Sequence, residues 1–256
     1  ASFYEIETAK KVGTSCGDLK FPKESIGKLD KKYDKEYSIL DINTCYSIEN
    51  TTQKQDQCQE WFKERRSRIT ASTFGSIIKR RTISEKFVDT FIKPKSFSSK
   101  ATSYGKSNEK RAISKYISKS GNHVHDCGLV VASKFPFLAA TPDGKVCEGG
   151  NTGILEVKCP YTARNASTLR EASESSPQFC LYEVNNTFSL KKDHEYYYQV
   201  QGQLMVTGAE FCDFVVYLKN IPIFIQRIFP DKECIDMMMC KLSKFYFEHI
   251  KPKLTT

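Results

Sequence analysis

The sequence lacks several features that mark secreted, disulfide-bonded and membrane-spanning proteins. It has no run of about 18 apolar residues that could cross a bilayer, and no apolar segment near its start that resembles a secretion signal. Its ten cysteines are scattered, with no C-x-x-C pair and no paired spacing, and we interpret them as free thiols. These absences predict an intracellular protein of the cytoplasm or the nucleus, with no membrane partner.

The length of the chain favours a single main domain. Its 256 residues can bury a sizeable core without disulfides or metals. Residues 1–50 are rich in lysine and turn-forming residues and show no sustained apolar period. We therefore expect a peripheral N-terminal arm at 1–50, the stump of a longer polypeptide with one or two short helices, and one domain at 51–256.

Positive charge is concentrated in one part of the chain. The formal net charge is +9, and residues 51–120 hold 17 lysines and arginines against 6 aspartates and glutamates. Such a block is often only a solvated face, but this one directly precedes the carboxylates described below, as a phosphate-binding surface would need. A polyanion is therefore the expected partner.

The segment ILEVKC has the alternation of a β-strand. Side chains along a strand point to opposite faces in turn, so Leu155 and Val157 go to a core. Glu156 and Lys158 then share the other face. A carboxylate and a lysine at this spacing are typical of a reactive site.

A second carboxylate reaches Glu156 through a predicted hairpin. The pair Gly149-Gly150 lies between two extended runs, and a hairpin folded symmetrically about it sets Asp143 opposite Glu156, at roughly 5 Å. Like charges in this position destabilise a sheet, and such conflicts are expected mainly at functional sites. Mg²⁺ would remove the conflict, because it takes hard oxygen ligands and completes its shell with water and phosphate. Lys158 would orient the attacking water or neutralise charge on the phosphate.

The amino-acid sequences of these segments resemble those of one superfamily of nucleases. Asp143 with Glu156-Val157-Lys158 resembles the metal-binding core of the PD-(D/E)xK nucleases. The longer wording ATPDG…LEVKCPYTAR is similar to their bacteriophage lambda exonuclease branch, the YqaJ-type viral recombinases, over roughly residues 58–220. The resemblance implies an α/β fold of the restriction-endonuclease-like type, with a mixed central sheet of about five strands flanked by helices.

Three further segments resemble motifs of that branch and imply roles for single residues. They are WFKERRSRITAS, YGKSNE and the YYYQVQ of a predicted helix. The residues implied in catalysis or metal binding are Glu109, Asp143, Glu156, the carbonyl of Val157, Lys158 and Gln199. The residues implied in binding DNA or a 5′-phosphate are Arg65, Ser72, Arg68 and Thr141. Arg68 occupies a place where the family often has an aliphatic or another basic residue.

Simpler interpretations stand beside these roles. Arg65 and Ser72 would flank a helix start, where free N–H groups favour anions, but they would also suit an ordinary capped helix with surface arginines. Glu109 lies one turn before the apolar Ala112, on a stripe that faces the core, and could pair there with a lysine. Gln199 could be only a hydrogen-bonding spacer. His123 and His125 alternate as on a strand and suggest a zinc site, but no further ligands lie nearby in the sequence.

The remaining pattern predicts several elements. One helix begins at Thr51 or Thr52, and a second begins after Thr70, whose hydroxyl would cap it. Residues 177–190 look like a long loop, either a substrate-facing lid or a variable insertion. HEYYYQVQGQLMVTG is helical, FCDFVVYLKN and IPIFIQRIFP are strands, and the last long helix carries three adjacent methionines as packing residues.

The function implied by the resemblance is a Mg²⁺-dependent DNA exonuclease. It would act 5′ to 3′ on double-stranded DNA ends by a two-metal mechanism in recombination or repair, and Mn²⁺ would substitute for Mg²⁺. An endonuclease of the same fold and a catalytically idle DNA-binding module are the alternatives, and the intact set of acidic residues and lysine argues against the second. A single-strand annealing protein and a homo-oligomer are further expected partners.

Overall fold

The computed structural model describes residues 19–33, 35–93 and 99–254. Its helices are α1 (Ile42–Thr51), α2 (Gln59–Arg66), α3 (Ala71–Ile78), α4 (Glu85–Ile92), α5 (Lys100–Ser120), α6 (Leu169–Ser175), α7 (Glu195–Thr207), α8 (Lys232–Phe245) and α9 (Lys251–Leu254). Short 3-10 turns lie at Lys31–Tyr33 and Gln55–Gln57, and a π-helical turn at Tyr246–Ile250 joins α8 to α9. The strands are β1 (Ile69–Thr70), β2 (His123–His125), β3 (Val130–Val131), β4 (Leu138–Ala140), β5 (Gly144–Glu148), β6 (Asn151–Lys158), β7 (Leu181–Val184), β8 (Thr187–Leu190), β9 (Cys212–Val216) and β10 (Phe224–Ile228).

A five-stranded mixed sheet forms the centre of the protein, as the family resemblance implies. Its strand order is β10-β9-β6-β5-β2, in which β6 and β9 run parallel and the other neighbours run antiparallel. The predicted strands FCDFVVYLKN and IPIFIQRIFP are β9 and β10, and both join this sheet. The helices flank it, so the predicted α/β fold class is confirmed.

The hairpin of β5 and β6 has the predicted register. Gly144 pairs with Leu155 and Glu148 pairs with Asn151, which places the turn at Gly149-Gly150. Both glycines have positive φ, 55° and 89°, a conformation that L side chains rarely adopt and that two-residue hairpin turns require. Asp143 therefore comes directly before the first paired residue of β5 and lies beside β6.

The two faces of β6 pack against different helices. Leu155 and Val157 join Ala112 and Tyr116 of α5 in one apolar cluster, as predicted for their face. On the opposite face Ile154 belongs to the larger core, which includes α7. The sheet is thus covered on both sides, and Glu156, only 2% exposed, is buried beneath α7.

Close packing of α3 and α7 fixes the helix above Glu156. A Cβ atom on Gly75 would lie 2.7 Å from the Cα of Glu195, and one on Gly202 would lie 2.3 Å from the ring of Phe74. Only glycine permits such an approach at these two positions. The predicted helix HEYYYQVQGQLMVTG is thereby held at a defined height over the sheet.

Two helix starts differ from the predictions. Thr51 ends α1 and Thr52 is its C-cap, because the chain is already helical from residue 42, where Asp41 provides the N-cap. The next helix, α2, begins only after Cys58. Thr70 does precede α3, but its hydroxyl accepts a hydrogen bond from Arg65 and makes no capping bond.

The segment expected to be a long loop is more ordered than predicted. Residues 181–190 form a β-hairpin, β7 and β8, in place of a long loop; its turn at Asn185 and Asn186 has the positive φ values that asparagine tolerates. Of the expected N-terminal arm, residues 1–18 and residue 34 lie outside the described residues. Its described part includes α1, with Phe21 fully buried and Glu49 4% exposed.

The described residues contain nine cysteines, none of which forms a disulfide bond. No helix in the described parts of the chain is long and apolar enough to cross a membrane. The adjacent methionines of α8 pack as predicted, since Met238 and Met239 are fully buried.

Candidate active site

A cavity of about 420 Å³ lies at the end of the β5–β6 hairpin, between α5 and α7. Seven of the residues singled out in the sequence contribute to its wall. They are Glu109, Thr141, Asp143, Glu156, Val157, Lys158 and Gln199. These side chains come from α5, from the connection between β4 and β5, from β6 and from α7. The fold therefore brings together residues that lie up to 90 positions apart in the sequence.

The Glu156 carboxylate is held by three donors. One oxygen accepts hydrogen bonds from Lys158 Nζ at 2.5 Å and from Gln199 Nε2 at 2.6 Å. The other oxygen accepts from Gln203 Nε2 at 2.6 Å. Because both glutamines are buried on one face of α7, one turn apart, the helix fixes the orientation of this carboxylate.

Asp143 lies next to Glu156 across the hairpin. Its backbone N–H donates to the carbonyl of Leu155 at 2.9 Å, and its carboxylate accepts from the N–H of Val157 at 2.7 Å. Burial raises the pKa of Asp143 well above its usual range, and the charges of Glu156 and Glu109 raise it further. The two opposed carboxylates thus conflict, as the sequence predicted.

Glu109 reaches the same cavity from α5. Ala112, one turn further along that helix, is fully buried, so Glu109 lies on the stripe that faces the sheet. Burial raises its pKa, and the charges of Glu156 and Asp56 raise it further. Lys106, on the neighbouring turn of α5, forms an ion pair with Asp56.

Lys158 supplies the positive charge of the cavity. Besides Glu156, its Nζ donates to Gln199 Oε1 at 3.0 Å and lies 4.4 Å from the centre of the Tyr196 ring. Burial alone lowers the pKa of Lys158, but Glu156, Tyr196 and Asp143 outweigh that effect and raise it. The side chain is therefore a firmly protonated ammonium group at neutral pH.

The donor set of this cavity fits a divalent cation. Three carboxylates and the carbonyl of Val157 are hard oxygen ligands. Burial, and then the repulsion between neighbouring carboxylates, raises the pKa values of Asp143 and Glu109, and a cation would relieve that repulsion. Within the described residues, no three His, Cys, Asp or Glu side chains form a ready-made metal cluster. Both oxygens of the Glu156 carboxylate accept hydrogen bonds, from Lys158 and from two glutamine amides.

A series of contacts connects the cavity to Arg65 and Ser72, in the lysine- and arginine-rich residues 51–120. Trp61 donates to the Thr141 hydroxyl at 3.2 Å, and the Arg65 guanidinium stacks 4.2 Å from the Trp61 ring. Arg65 also donates to the Thr70 hydroxyl, which lies 3.3 Å from the exposed Ser72 hydroxyl. Burial lowers the Arg65 pKa to about 10, so the side chain is still a cation at neutral pH.

Two side chains from the same motifs point elsewhere. Arg68 donates to the carbonyl of Pro136 at 2.9 Å and pairs with Glu64 at 2.7 Å. Its guanidinium donors therefore bind other parts of the protein and do not point into the cavity. Gln201 bonds the carbonyl of Phe229 and the N–H of Asp231, on the far side of α7.

The analysis of the sequence missed two contributors. They are Gln203 and Trp61. Gln203 lies one helical turn after Gln199, which puts both amides on the same face of the helix. A tryptophan four residues before Arg65 on a helix is the signal for the ring stacking that the structure contains.

Replacing Glu109 with glutamine tests whether its charge serves metal binding or structure. A carboxylate whose pKa is raised in the folded state destabilises that state at every pH where it is ionised. Glu109→Gln should therefore raise the melting temperature of the metal-free protein by roughly 2–4 °C at neutral pH. The gain should shrink as the pH falls through the raised pKa, because the wild-type side chain then becomes neutral.

Scanning calorimetry in EDTA at several pH values measures this effect, with the exposed Glu174→Gln as matched control. A lower melting temperature for Glu109→Gln would instead show that the Glu109 charge forms a stabilising ion pair.

The mixed sheet with Asp143 and Glu156-Val157-Lys158 at one end of a hairpin defines the PD-(D/E)xK class of nuclease folds. The sequence profile of the YqaJ-like viral recombinase domain matches residues 60–210, more than half of the chain. This chain therefore belongs to the YqaJ-like viral recombinase family.

Similar proteins are found in viruses and bacteria. The chain is 27% identical over 210 residues to an uncharacterised protein of Acanthamoeba polyphaga mimivirus. The aligned region covers 76% of this chain and 34% of the mimivirus protein. This chain thus spans about a third of that relative's length. LHK-Exo, an alkaline exonuclease of Laribacter hongkongensis solved in complex with dAMP, is 26% identical with a TM-score of 0.61, over 77% of this chain and 95% of LHK-Exo.

The fold alone is shared with a herpesvirus protein. SOX, the shutoff and exonuclease protein of Kaposi's sarcoma-associated herpesvirus, solved in a complex with DNA, is 11% identical with a TM-score of 0.58. The similarity covers 83% of this chain and 72% of the SOX chain.

Proposed function

We propose that this chain is a Mg²⁺-dependent DNA exonuclease that degrades double-stranded DNA from its ends in the 5′ to 3′ direction, in recombination or repair. The observation that carries the proposal is the single cavity in which three carboxylates, a protonated lysine and a glutamine converge. Membership of the YqaJ-like family and similarity to an alkaline exonuclease support the same activity.

The acidic residues would hold the cation. Asp143, Glu156, Glu109 and the carbonyl of Val157 are the ligands that the cavity offers, and Mn²⁺ prefers the same oxygen donors. In a two-metal mechanism, bound Mg²⁺ would supply a nucleophilic water at neutral pH and positive charge at the leaving oxygen. Burial and the charges of Glu156 and Glu109 together raise the pKa of Asp143, and a bound cation would offset both effects.

Other side chains of the cavity orient the reacting groups. Lys158 carries a fixed positive charge and a donor that rotates, which suits it to hold a water or a phosphate oxygen. Gln199 accepts from Lys158 and donates to Glu156, so it links the lysine to the carboxylate. Tyr196 lies beside the ammonium group and keeps that side of the cavity partly apolar.

One digestion assay tests the proposed activity against its alternatives. The purified protein is incubated with linear duplex and with covalently closed circular duplex, in Mg²⁺ and in EDTA. Loss of the linear duplex alone, only with Mg²⁺, is the expected result. Cleavage of the closed circle would instead identify an endonuclease, and binding without any cleavage would identify an idle DNA-binding module.

Arg65 and Ser72 are proposed to bind the terminal 5′-phosphate. Arginine presents a planar fork of donors suited to phosphate, and Ser72 lies exposed at the start of α3, where backbone N–H groups favour anions. Thr141 connects this group to the cavity through Trp61. Arg68 is the weaker candidate, because its donors already bind Glu64 and Pro136.

Removing Arg65 should abolish most of the preference for phosphorylated ends. The wild-type protein should degrade a 5′-phosphorylated duplex faster than a 5′-hydroxyl duplex. Arg65→Ala should reduce that ratio by about 10- to 100-fold, because a hydrogen bond to a charged group contributes about 1.5–3 kcal/mol. Rates on the two duplexes, measured side by side, give the ratio.

Arg66→Ala is the matched control, since Arg66 is exposed on the same helix and should affect all DNA alike through general charge. Arg65→Lys keeps the charge without the fork and should fall between wild type and Arg65→Ala. Equal rates on both ends in the wild type, or an unchanged ratio in Arg65→Ala, would rule out this phosphate pocket.

The remaining partners stay predictions from the family resemblance. A single-strand annealing protein and a homo-oligomer would both suit a nuclease that resects DNA ends. Size measurement of the purified chain, alone and with duplex DNA, addresses the oligomer.

A further inference from the structure

One side chain outside the cavity of the candidate active site bonds the backbone that leads into Asp143. Gln55 begins the 3-10 turn that follows α1, and its Nε2 donates two hydrogen bonds. One goes to the carbonyl of Cys127 at 2.9 Å, and the other goes to the carbonyl of Pro142 at 3.2 Å. Pro142 directly precedes Asp143, so a residue far away in the sequence reaches the connection between β4 and β5.

The bond to Pro142 fixes the peptide group that leads into Asp143. The carbonyl of Pro142 and the N–H of Asp143 belong to one planar peptide group. Its oxygen accepts from Gln55, and its N–H donates to the carbonyl of Leu155 on β6 at 2.9 Å. Rotation of the plane would break one bond or the other. The direction in which the Asp143 side chain leaves the backbone is therefore set before any cation binds.

Gln55 makes these bonds from a strained backbone conformation. Its φ is +48°, in the left-handed region that residues other than glycine, asparagine and aspartate seldom adopt. The other non-glycine residues with positive φ in the described parts of the chain are Asn185 and Asn186, at the turn of the β7–β8 hairpin. Strain of this kind persists only where surrounding contacts impose it, and it is concentrated at functional sites.

The segment that carries Gln55 is itself anchored to the chain beside Cys127. Glu49, near the end of α1, accepts from the N–H of Gly128 at 2.8 Å. Thr52, the C-cap of α1, accepts from the N–H of the following residue at 2.7 Å. A Cβ atom on Gly128 would overlap the backbone oxygen of Glu49, so the two segments are in direct contact. The end of α1 therefore provides a rigid base for the Gln55 side chain.

The same turn also contacts the helix that carries Glu109. Asp56 forms an ion pair with Lys106, which lies one turn before Glu109 on α5. Both partners are exposed, at 38% and 63%, and exposed ion pairs contribute little to stability. The hydrogen bonds of Gln55 are thus the stronger constraint that this turn places on the site.

We propose that Gln55 is a positioning residue for Asp143 in the candidate metal site. Gln55 does not line the cavity and acts through the peptide group between Pro142 and Asp143. The inference rests on the proposed function, which makes Asp143 a metal ligand. With this peptide group held, the ligand meets a cation without first reordering its backbone. Hydrogen-bonding partners that orient a ligand typically contribute about 10- to 100-fold to metal affinity or activity.

Two substitutions separate positioning from stability. Gln55→Met keeps the length of the side chain and the strained backbone but removes the donor, so the carbonyls of Cys127 and Pro142 lose their bonds. Gln55→Gly removes the same donor, but glycine adopts a positive φ without strain and leaves room for water to reach the two carbonyls. The melting temperature in EDTA should therefore fall further in Gln55→Met than in Gln55→Gly.

Metal affinity should instead fall alike in both variants. Calorimetric titration with Mn²⁺ should give a dissociation constant about 10- to 100-fold above that of the wild type for each. Digestion of linear duplex should slow at low Mn²⁺ and recover at saturating Mn²⁺, with little change in the KM for DNA. Saturating Mn²⁺ should not restore digestion by Asp143→Asn, because that variant lacks the ligand itself.

Gln57→Gly is the matched control, because Gln57 is an exposed glutamine of the same turn. It should bind Mn²⁺ as the wild type does. An affinity within twofold of wild type in both Gln55 variants would overturn the proposal. A loss of affinity confined to Gln55→Met would overturn it as well, because the amide would then only stabilise the fold.

Exchange of the Asp143 amide proton gives a readout that needs no metal. Hydrogen exchange followed by NMR in EDTA should be faster at Asp143 in both Gln55 variants than in Gln57→Gly, because the peptide group has lost one of its two bonds. Unchanged exchange would show that Gln55 does not hold this group. Failure of the proposed function appears separately, as a wild type that neither binds Mn²⁺ nor digests duplex while the difference in exchange persists.

Discussion

Asp143→Asn should reduce the hydrolysis of linear duplex by about 10³-fold or more, while DNA binding survives. The metal contributes several kcal/mol of charge stabilisation to such reactions, and about 1.4 kcal/mol corresponds to a factor of ten. Asparagine keeps the shape of the side chain and an oxygen that can accept from the N–H of Val157. The substitution therefore removes a metal ligand and a charge without removing the hydrogen bond that orients the residue.

Binding should even improve slightly, because one negative charge leaves the neighbourhood of the phosphates. Anisotropy with labelled duplex measures binding, and digestion of the same duplex in Mg²⁺ measures hydrolysis. Asp30→Asn, an exposed substitution of the same kind, is the matched control. Hydrolysis within tenfold of wild type in Asp143→Asn would show that Asp143 holds no essential metal.

The central hairpin was predictable because local rules determine it. Two adjacent glycines between extended runs define the turn, and a strand period of two then fixes which side chains oppose each other. The observed pairing of Gly144 with Leu155 follows from these rules alone. Asp143 and Glu156 are therefore neighbours for a reason that can be derived from the sequence.

Contacts between distant segments were not predictable in this way. Glu49 forms a buried ion pair with Lys145, 96 residues away at 2.9 Å, and also accepts from the N–H of Gly128. No periodicity in residues 1–50 indicates this pair, which ties α1 to β5 two residues from Asp143. The same holds for the β7–β8 hairpin, whose paired asparagines at the turn are a weaker signal than paired glycines.

The Glu156 environment lies between these two cases. The resemblance implied Gln199, but only the packing of α7 over β6 brings Gln203 to the second oxygen of the same carboxylate. The height of α7 depends on Gly75 and Gly202, whose role is visible only once both helices are in place. The sequence therefore does not tell which glutamines of this helix contact Glu156, whereas the structure shows that Gln199 and Gln203 both do.

Lys158→Met should separate catalysis from metal binding. Methionine has a similar length and no charge, so it removes the donor that contacts Glu156 and Gln199 while filling much of the same space. Loss of one preorganised donor of this kind costs about 10²–10³-fold in turnover. The carboxylates, freed from their ammonium partner, should bind Mn²⁺ at least as tightly as in the wild type.

Calorimetric titration with Mn²⁺ and digestion of linear duplex test the two halves of this expectation on the same preparation. Without metal, Lys158→Met should melt at a lower temperature than wild type, because it leaves Glu156 buried without its countercharge, and added Mn²⁺ should restore much of the loss. Lys219→Met, an exposed substitution of the same type, should alter neither property. If Lys158→Met instead loses Mn²⁺ binding, then the lysine maintains the geometry of the ligands, and its proposed contact with the water or the phosphate is wrong.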